Sequence, residues 1–359
     1  MKISKLLIFF FTICSFVTLR SQDIHFSQFY MSPLNLNPAL TGVMDCNIRL
    51  VANYRNQWGS VLGSDAYNTY SFSYDQKIPV GRYDNFAFGA TFWNDVAGSA
   101  DFSTLTAKGS LAYHKQMGGS RSSAHYLIAG AELGIAQRSL DYIKLRWPSQ
   151  HNGEGGFDPG LESGETNIDP NIVFADFGAG VLWYSVWDKL NSFYIGAAFH
   201  HLNQVNVSNY TDGEDILYSQ FTAHTGAELM VNKKFGLVPG VVVMMQGPHF
   251  QVNSGLGLKF LLGNPREYQA FSIGVWNRIA SKANLIDPTS GEIDEDTSPH
   301  MDALILSTRF DYQNFSIGFS YDINVSELAP ASNNSGGPEF SLIYKICQPN
   351  NRKSFCPRF

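Results

Sequence analysis

The feature that most constrains this chain is a period-two alternation of apolar and polar residues, repeated in fourteen segments. From residue 315 to 323, for example, Phe, Ile, Phe, Tyr and Ile alternate with Ser, Gly, Ser and Asp. Successive side chains of a strand point to opposite sides, so this pattern predicts strands with one apolar and one polar face. The segments lie near residues 46–57, 67–78, 85–93, 102–114, 125–138, 174–186, 192–200, 221–231, 235–246, 250–260, 268–277, 301–311, 315–323 and 339–347.

The connections between these segments also alternate in length. Those after even-numbered segments are mostly short, whereas several after odd-numbered segments are long: residues 139–173, 201–220, 278–300 and 324–338. Outer-membrane barrels have short periplasmic turns, long extracellular loops and an even number of strands. We therefore predict an all-β fold, a transmembrane antiparallel up-and-down β-barrel of about 14 strands with both chain ends on the periplasmic side. A soluble β-sandwich or jelly roll is the alternative.

Composition agrees with a barrel better than with a helical membrane protein. Charged residues make up 16%, aromatic residues 14%, and the mean hydropathy is only −0.13. Outer-membrane barrels have such compositions because their apolar residues occupy alternate positions, with aromatic residues near the interfaces. The formal net charge of −6 gives no indication of nucleic-acid binding.

The first 21 residues resemble a secretory signal peptide. Lys2 and Lys5 precede an apolar stretch of about 14 residues, which is short for a membrane span, and the small residue Ser21 suits cleavage before Gln22. Beyond this leader, no window of the sequence is apolar for 18 residues. We expect export to the outer membrane. The mature chain would then consist of an N-terminal periplasmic or plug segment at 22–45, a barrel at 46–347 and a periplasmic tail at 348–359.

A fourteen-stranded barrel is wide enough to leak unless something fills it. The two candidates are the N-terminal segment, 22–45, and the loop at 139–173. Charges of both signs fall on the predicted inner face, which suits a filled lumen but also suits a diffusion channel. These lumen-facing charges are Arg49, Arg55, Asp75, Lys108, Glu228, Lys259 and Asp322.

After cleavage, three cysteines remain in an oxidising compartment. Cys46 begins the first strand and Cys347 ends the last, so closure of the barrel would bring both to the periplasmic rim. Cys356 lies just beyond, in the tail. We predict one disulfide that joins Cys46 to Cys356 or to Cys347, and three free thiols are the alternative.

The sequence contains no recognisable catalytic, nucleotide-binding or metal-binding motif. His114, His200 and His224 are expected inside the lumen as a hydrogen-bonded network. His200 and His201 are adjacent, so on a strand they would face opposite sides. We therefore expect no catalytic residues, no metal, no cofactor and no small-molecule substrate.

Several stretches resemble the PorP/SprF family of the type IX secretion system of Bacteroidetes. The N-terminal segment reads QDIHFSQFYMSPLNLNPALTG and is followed by DCNIRLVANYRNQW and SYDQKIP. Further matches are GSLAYHKQM, YIGAAFHHLNQ, FSIGVWNR, FSIGFSYDI, PEFSLIYKI and the terminal CPRF. The family-signature positions, which are also our candidates for a plug or docking surface, are Gln28, Phe29, Tyr30, Pro33, Asn37, Pro38, Thr41, Gly42, Tyr54, Arg55 and Trp58.

The resemblance implies a non-enzymatic outer-membrane barrel that supports secretion or surface attachment of proteins with a C-terminal secretion domain, including adhesins used in gliding motility. It also implies type IX machinery as the periplasmic partner, a secreted cargo protein or adhesin as the extracellular partner, and contact with outer-membrane lipid. An outer-membrane porin or hydrophobic-solute transporter is the alternative function.

Overall fold

The computed structural model describes residues 23–120, 123–153, 156–187, 191–263, 267–281, 285–286, 293–294, 298–327 and 329–347. Fourteen antiparallel strands form a closed barrel, as the alternation predicted. They are β1 (Ile48–Gln57), β2 (Tyr67–Val80), β3 (Asp84–Ala97), β4 (Phe102–Gly119), β5 (Ala124–Ser139), β6 (Asn171–Trp187), β7 (Asn191–His200), β8 (Gln220–Met230), β9 (Phe235–Gln246), β10 (His249–Leu261), β11 (Gln269–Ser281), β12 (Pro299–Tyr312), β13 (Phe315–Asn324) and β14 (Ser335–Ile346).

Each strand pairs with its neighbours along the chain, and β1 pairs with β14 to close the sheet. Arg49 lies opposite Lys345 at this seam, and Cys46 is joined to Cys347 just beyond the strand ends. The disulfide is one of the two pairings that the sequence left open. Cys356, with the tail at 348–359 and the leader at 1–21, lies outside the described residues.

The two faces of the strands have opposite character. Outward side chains are largely apolar and exposed, for instance Leu133, Ile135 and Val173 at 57%, 61% and 66%. Inward positions are buried and mostly polar or small. The apolar outer face suits contact with lipid, and the polar inner face suits a filled lumen. The backbone itself can cross a bilayer because its hydrogen bonds are made within the closed sheet. In the described part of the chain, no helix is long and apolar enough to cross a membrane.

The long connections gather at one end of the barrel, which we call the long-loop end; the opposite end is the short-turn end. The loops at 140–170 and 201–219 pack on each other at the long-loop end, where Ile168 bridges Tyr210. The first of them is largely exposed rather than inside the lumen. A hairpin of Leu285–Ile286 with Ile293–Asp294 belongs to the connection after β11.

Residues 23–45, which we call the plug, lie inside the barrel. They form a 3-10 turn (Phe29–Met31), a four-residue helix (Pro33–Leu36) and a second 3-10 turn (Pro38–Leu40). Both prolines stand at the first position of their helical turn, where no backbone donor is needed. Asp23 lies at the long-loop end and Asp45 at the short-turn end, next to Lys345. The plug therefore begins at the long-loop end, whereas the start of β1 and the end of β14 lie together at the short-turn end. The course of the plug through the lumen is set by apolar contacts with the wall, which the alternation of the strands does not predict.

Candidate functional site

The plug packs against the barrel wall through a buried apolar core. One cluster joins wall residues of seven strands to five plug residues: Phe29, Leu36, Ala39, Leu40 and Val43. The ring of Phe29 meets that of Trp276 on β11 edge-on, with centroids 5.6 Å apart. Burial of these side chains is the largest favourable contribution to filling the lumen. A diffusion channel would instead expose this surface to water.

Two wall glycines let the plug backbone come close. A Cβ atom built on Gly130 of β5 would lie 2.5 Å from the nitrogen of Ala39. On the neighbouring strand, a Cβ atom on Gly180 would lie 2.1 Å from Oδ1 of Asn37. Any larger residue at either position would push the plug away from the wall. The glycines therefore shape the wall to this particular segment.

At the short-turn end, a buried ion pair fixes the end of the plug. Arg49 and Asp75 are 1% and 0% exposed, and Nη2 of Arg49 lies 2.8 Å from Oδ2 of Asp75. Arg49 also donates to the carbonyl oxygens of Leu40 and Val43. Asp75 accepts a hydrogen bond from the nitrogen of Gly42 at 2.7 Å. The pair thus satisfies plug backbone groups that the barrel hides from water.

In the middle of the lumen, Asn37 ties the plug to β6 and β7. Its amide donates to the carbonyl oxygens of Val181 and Ala197, and its nitrogen lies 3.0 Å from Nε2 of His224. Its Oδ1 caps the following turn by accepting from Ala39. Thr41 donates to Ser110, and its carbonyl oxygen lies 2.8 Å from Nε2 of His114. Most hydrogen-bonding groups of Asn37 and Thr41, both family-signature residues, are therefore satisfied inside the barrel.

Nearer the long-loop end, two wall carboxylates hold the plug, one through its backbone and one through a side chain. Glu339 of β14 accepts hydrogen bonds from the nitrogens of Ser27 and Gln28, at 2.7 and 3.0 Å. Asp322 of β13 accepts from the hydroxyl of Ser27 and from two guanidinium groups, those of Arg55 and Arg278. Charge-assisted bonds of this kind are among the stronger hydrogen bonds in proteins.

The first described residue, Asp23, ends a buried chain of charges. It pairs with Nε2 of His201, whose Nδ1 lies 2.9 Å from Asp176. Lys108 joins Asp176 to Glu132, which contacts His200 at 2.8 Å. Burial would lower the pKa of His201, but Asp23 and Asp176 outweigh it and raise this pKa to about 9. Burial would likewise raise the pKa of Asp23, yet His201 holds it below its ordinary value.

The expectation that His200 and His201 face opposite sides was wrong. β7 ends at His200, and His201 adopts a φ of +53°, which turns its side chain back into the lumen beside that of His200. The two rings still serve different partners, Glu132 and Asp176. His114, His200 and His224 are all buried inside the barrel.

The structure brings most of the predicted positions together around the plug. The seven charges expected in the lumen all lie inside the barrel. Six of them pair with one another, as Lys259 does with Glu228, and the seventh, Lys108, pairs with the neighbouring wall acid Glu132. Among the signature residues, Tyr54 is separate. It is on the outer face, where its ring meets that of Tyr70 and its hydroxyl donates to Asn68. Trp58 lies at the long-loop end, with its ring against Tyr67.

Sequence reasoning missed four residues that hold the plug: Asp23, Asp176, His201 and Glu339. Three of them have a usable signal, since Asp176 and Glu339 are acids in apolar strands and His201 follows a strand histidine. Their partners could not be read from the sequence, because each contact joins positions more than 20 residues apart.

Above the plug, the lumen opens at the long-loop end into a vestibule of about 560 Å³. Asp23, Ile24 and His25 contribute to its lining from the plug, and Trp93, Phe102 and Phe174 contribute aromatic rings from the wall. Arg138 of β5 also lines it, with its guanidinium 5.5 Å from the ring centre of Phe102. The vestibule is thus a pocket with the plug at its base.

Comparison with known proteins gives one family and several structural likenesses. CdiB from Escherichia coli is similar with a TM-score of 0.47 and 7% identity, over 82% of this chain and 63% of that chain. CdiB from Acinetobacter baumannii gives 0.43 and 8%, over 83% and 60%. The chain thus spans less than two thirds of the length of either CdiB chain. A deltaS2 mutant of the TodX monoaromatic hydrocarbon channel gives 0.43 and 12%, over 87% and 93%.

No curated protein matches the chain. The family model described as type IX secretion system membrane protein PorP/SprF matches residues 18–344. That match includes the plug, the ion pairs that anchor it and nearly all of the barrel. The chain therefore belongs to the PorP/SprF family of type IX secretion system membrane proteins.

Proposed function

We propose that this protein is a closed, non-enzymatic scaffold of the type IX secretion system rather than a channel. Family membership implies an association with the type IX machinery in the outer membrane. The observation that carries the proposal is the plug, whose apolar face is buried in the wall cluster and whose ends are fixed by Arg49–Asp75 and Asp23–His201. Because the lumen is filled, the surfaces available for binding other proteins are the two ends of the barrel.

The scaffold presents different surfaces at its two ends. In the proposed orientation the short turns and the tail at 348–359 meet the machinery in the periplasm. The long loops at 140–170 and 201–219 meet a secreted protein that carries a C-terminal secretion domain, such as an adhesin used in gliding motility. Long loops suit this task because their length and exposure leave many side chains available for contact.

A porin or hydrophobic-solute transporter is the competing function. Such a protein needs a continuous path through the lumen, and here the path would have to cross the plug. Buried ion pairs fix the segment at both ends, so its release would cost the bonds of Asp75, Glu339 and Asp23 together. This argues against simple diffusion.

Conductance separates the two functions. We expect the purified protein to be closed in a planar lipid bilayer, and a variant lacking residues 23–45 to conduct steadily. A second variant, Gly180→Val, keeps the segment but displaces Asn37, and should give intermittent openings. Steady conductance of the unaltered protein would contradict the scaffold. Electrophoretic mobility with and without heating would confirm that each variant still folds as a barrel.

The secretion role has its own cellular test. We expect that deletion of the gene removes one or more large proteins from the cell surface, and that a plasmid copy restores them. An unchanged set of surface proteins in the deletion strain would contradict the role in secretion, whatever the conductance of the barrel.

A further inference from the structure

One stretch of the vestibule wall carries buried hydrogen-bond donors without partners. In the described part of the chain, the hydroxyl of Thr106 and Nε of Arg138 have no hydrogen-bonding partner, although the two residues are only 1% and 9% exposed. Buried donors are nearly always satisfied in folded proteins, so such a pair is a candidate binding site. Both residues line the vestibule above the plug.

The strand register places these donors side by side. Thr106 of β4 lies opposite Ala136 of β5, and Thr104 lies opposite Arg138. Thr106 and Arg138 are therefore diagonal neighbours on the inner face of two adjacent strands. Aromatic rings flank them, because Trp93 of β3 lies opposite Thr106 and Phe174 of β6 lies opposite Ala136. The wall thus combines two donors with two apolar surfaces.

Arg138 is weakly held by the protein itself. Its nearest carboxylate is that of Asp215, 3.9 Å away in the loop at 201–219, and the Asp215 side chain is 45% exposed. In contrast, acids that line the vestibule have partners within hydrogen-bonding distance. Asp95 accepts from Thr69 at 2.5 Å, and Asp302 lies 2.6 Å from Arg278. A carboxylate in the vestibule would therefore find Nε of Arg138 and the hydroxyl of Thr106 without hydrogen-bonding partners.

The shape of the vestibule restricts what can bring that carboxylate. Its volume of about 560 Å³ is in the range of binding pockets, and the plug contributes Asp23, Ile24 and His25 to its lining. A chain that enters from the long-loop end must stop at the plug, so a chain end fits better than the middle of a strand or loop. Capture of a terminal carboxylate is an established mode of peptide recognition.

We propose that the vestibule binds the carboxyl-terminal residues of a protein that enters from the long-loop end. Arg138 and Thr106 hold the terminal carboxylate, while Trp93, Phe102 and Phe174 contact apolar side chains of the peptide. This inference rests on the proposed function, because it assumes that the partner is a protein outside the barrel rather than a solute in transit.

The test uses the full protein in detergent and a displayed library of short random peptides with free carboxyl termini. Peptides that enrich are then synthesised as acids and as C-terminal amides. We expect the amides to bind about tenfold more weakly, and Arg138→Gln to reduce affinity for the acids by a similar factor. Thr106→Val, which removes only the hydroxyl, should give a smaller loss. Lys115→Gln changes an exposed cation at the short-turn end that does not line the vestibule, and should leave binding unchanged.

Four results would overturn the inference, and the first three are no enrichment, equal binding of acids and amides, and full affinity of the Arg138→Gln variant. Decanoate, a small carboxylate with an apolar chain, serves as a competitor, and binding as tight as that of the peptides would also overturn it. The conductance test remains separate. If the barrel is closed and binds no peptide, only the peptide-binding inference is contradicted. If the barrel conducts, the scaffold function is contradicted, and the affinity for peptides can still be measured.

Discussion

At the scale of single residues, Asp75 is a fully buried carboxylate that links the barrel wall to the plug near the short-turn end. It pairs with Arg49 and accepts from the plug nitrogen of Gly42. We expect Asp75→Asn to lower the free energy of unfolding by about 3–5 kcal/mol, because it leaves the guanidinium of Arg49 buried without a counter-charge. Denaturant titration of the barrel in lipid vesicles would measure this loss.

The matched control is Lys115→Gln, which breaks an ion pair with Asp84 at the same end of the barrel, where the Lys115 side chain is 57% exposed. Exposed pairs contribute little to stability, so its unfolding should resemble that of the unaltered protein. An equal loss in both variants would show that buried and exposed pairs do not differ here.

The Asp23–His201 pair gives the plug a pH-dependent anchor. The pKa of His201 is raised to about 9, so the stabilisation is complete below its ordinary value of 6.5 and is lost as pH rises through 9. The lowered pKa of Asp23 preserves the pair above 3.8, and it weakens only as pH falls below that value. Burial and the nearby Arg55 and Arg278 keep the pKa of His25 well below its usual range, so His25 does not titrate in this window.

We therefore expect hydrogen exchange at residues 23–25, corrected for the intrinsic rate, to be slowest near pH 6 and to accelerate as pH approaches 9. His201→Asn should abolish this dependence. His125→Asn, which removes a partly buried histidine bonded to Ser185, is the control and should keep it. Identical pH profiles for both variants would contradict the anchor.

At the scale of elements, the wall glycines decide whether the plug can pack. Gly130→Val would place atoms where the backbone of Ala39 lies, and overpacking of this kind costs about 1–3 kcal/mol. We expect lower stability and intermittent conductance. Gly109→Val on the adjacent strand is the control, since a Cβ atom there points outward and meets only an oxygen 3.9 Å away. Equal conductance of the Gly130→Val and Gly109→Val variants would argue that close packing at the wall glycines does not hold the plug in place.

The elements also show what the sequence could and could not predict. Strand number and inward faces follow from alternation, because a strand such as β13 must present Phe315 and Ile317 to one side and Ser316 to the other. The path of the plug cannot be predicted in this way, because its short helical turns show no regular apolar–polar periodicity. Bonds such as Ser27 to Glu339, 312 residues apart, fix it. His201 escaped prediction because its left-handed backbone breaks the strand rule.

At the scale of the whole molecule, the two rims differ in a way that fixes an expected orientation. Hairpin turns such as that between β12 and β13 leave little surface at the short-turn end, whereas the loops at 140–170 and 201–219 contact each other and present a large exposed surface. Bacterial outer-membrane barrels have short turns in the periplasm and longer loops outside the cell, so we expect the long-loop end to face outward. The vestibule would then open to the outside, and the start of the plug would lie near the extracellular surface.

Epitope insertions test this orientation in intact cells. A hydrophilic tag after Gly160, which is exposed in the loop at 140–170, should bind antibody without permeabilisation. The same tag between Gln313 and Asn314, in the turn after β12, should bind only once the outer membrane is opened. Equal total amounts of both tagged proteins in the membrane fraction would serve as the control for insertion. The reverse pattern of labelling would place the long loops in the periplasm, and the loops would then face the secretion machinery instead of its cargo.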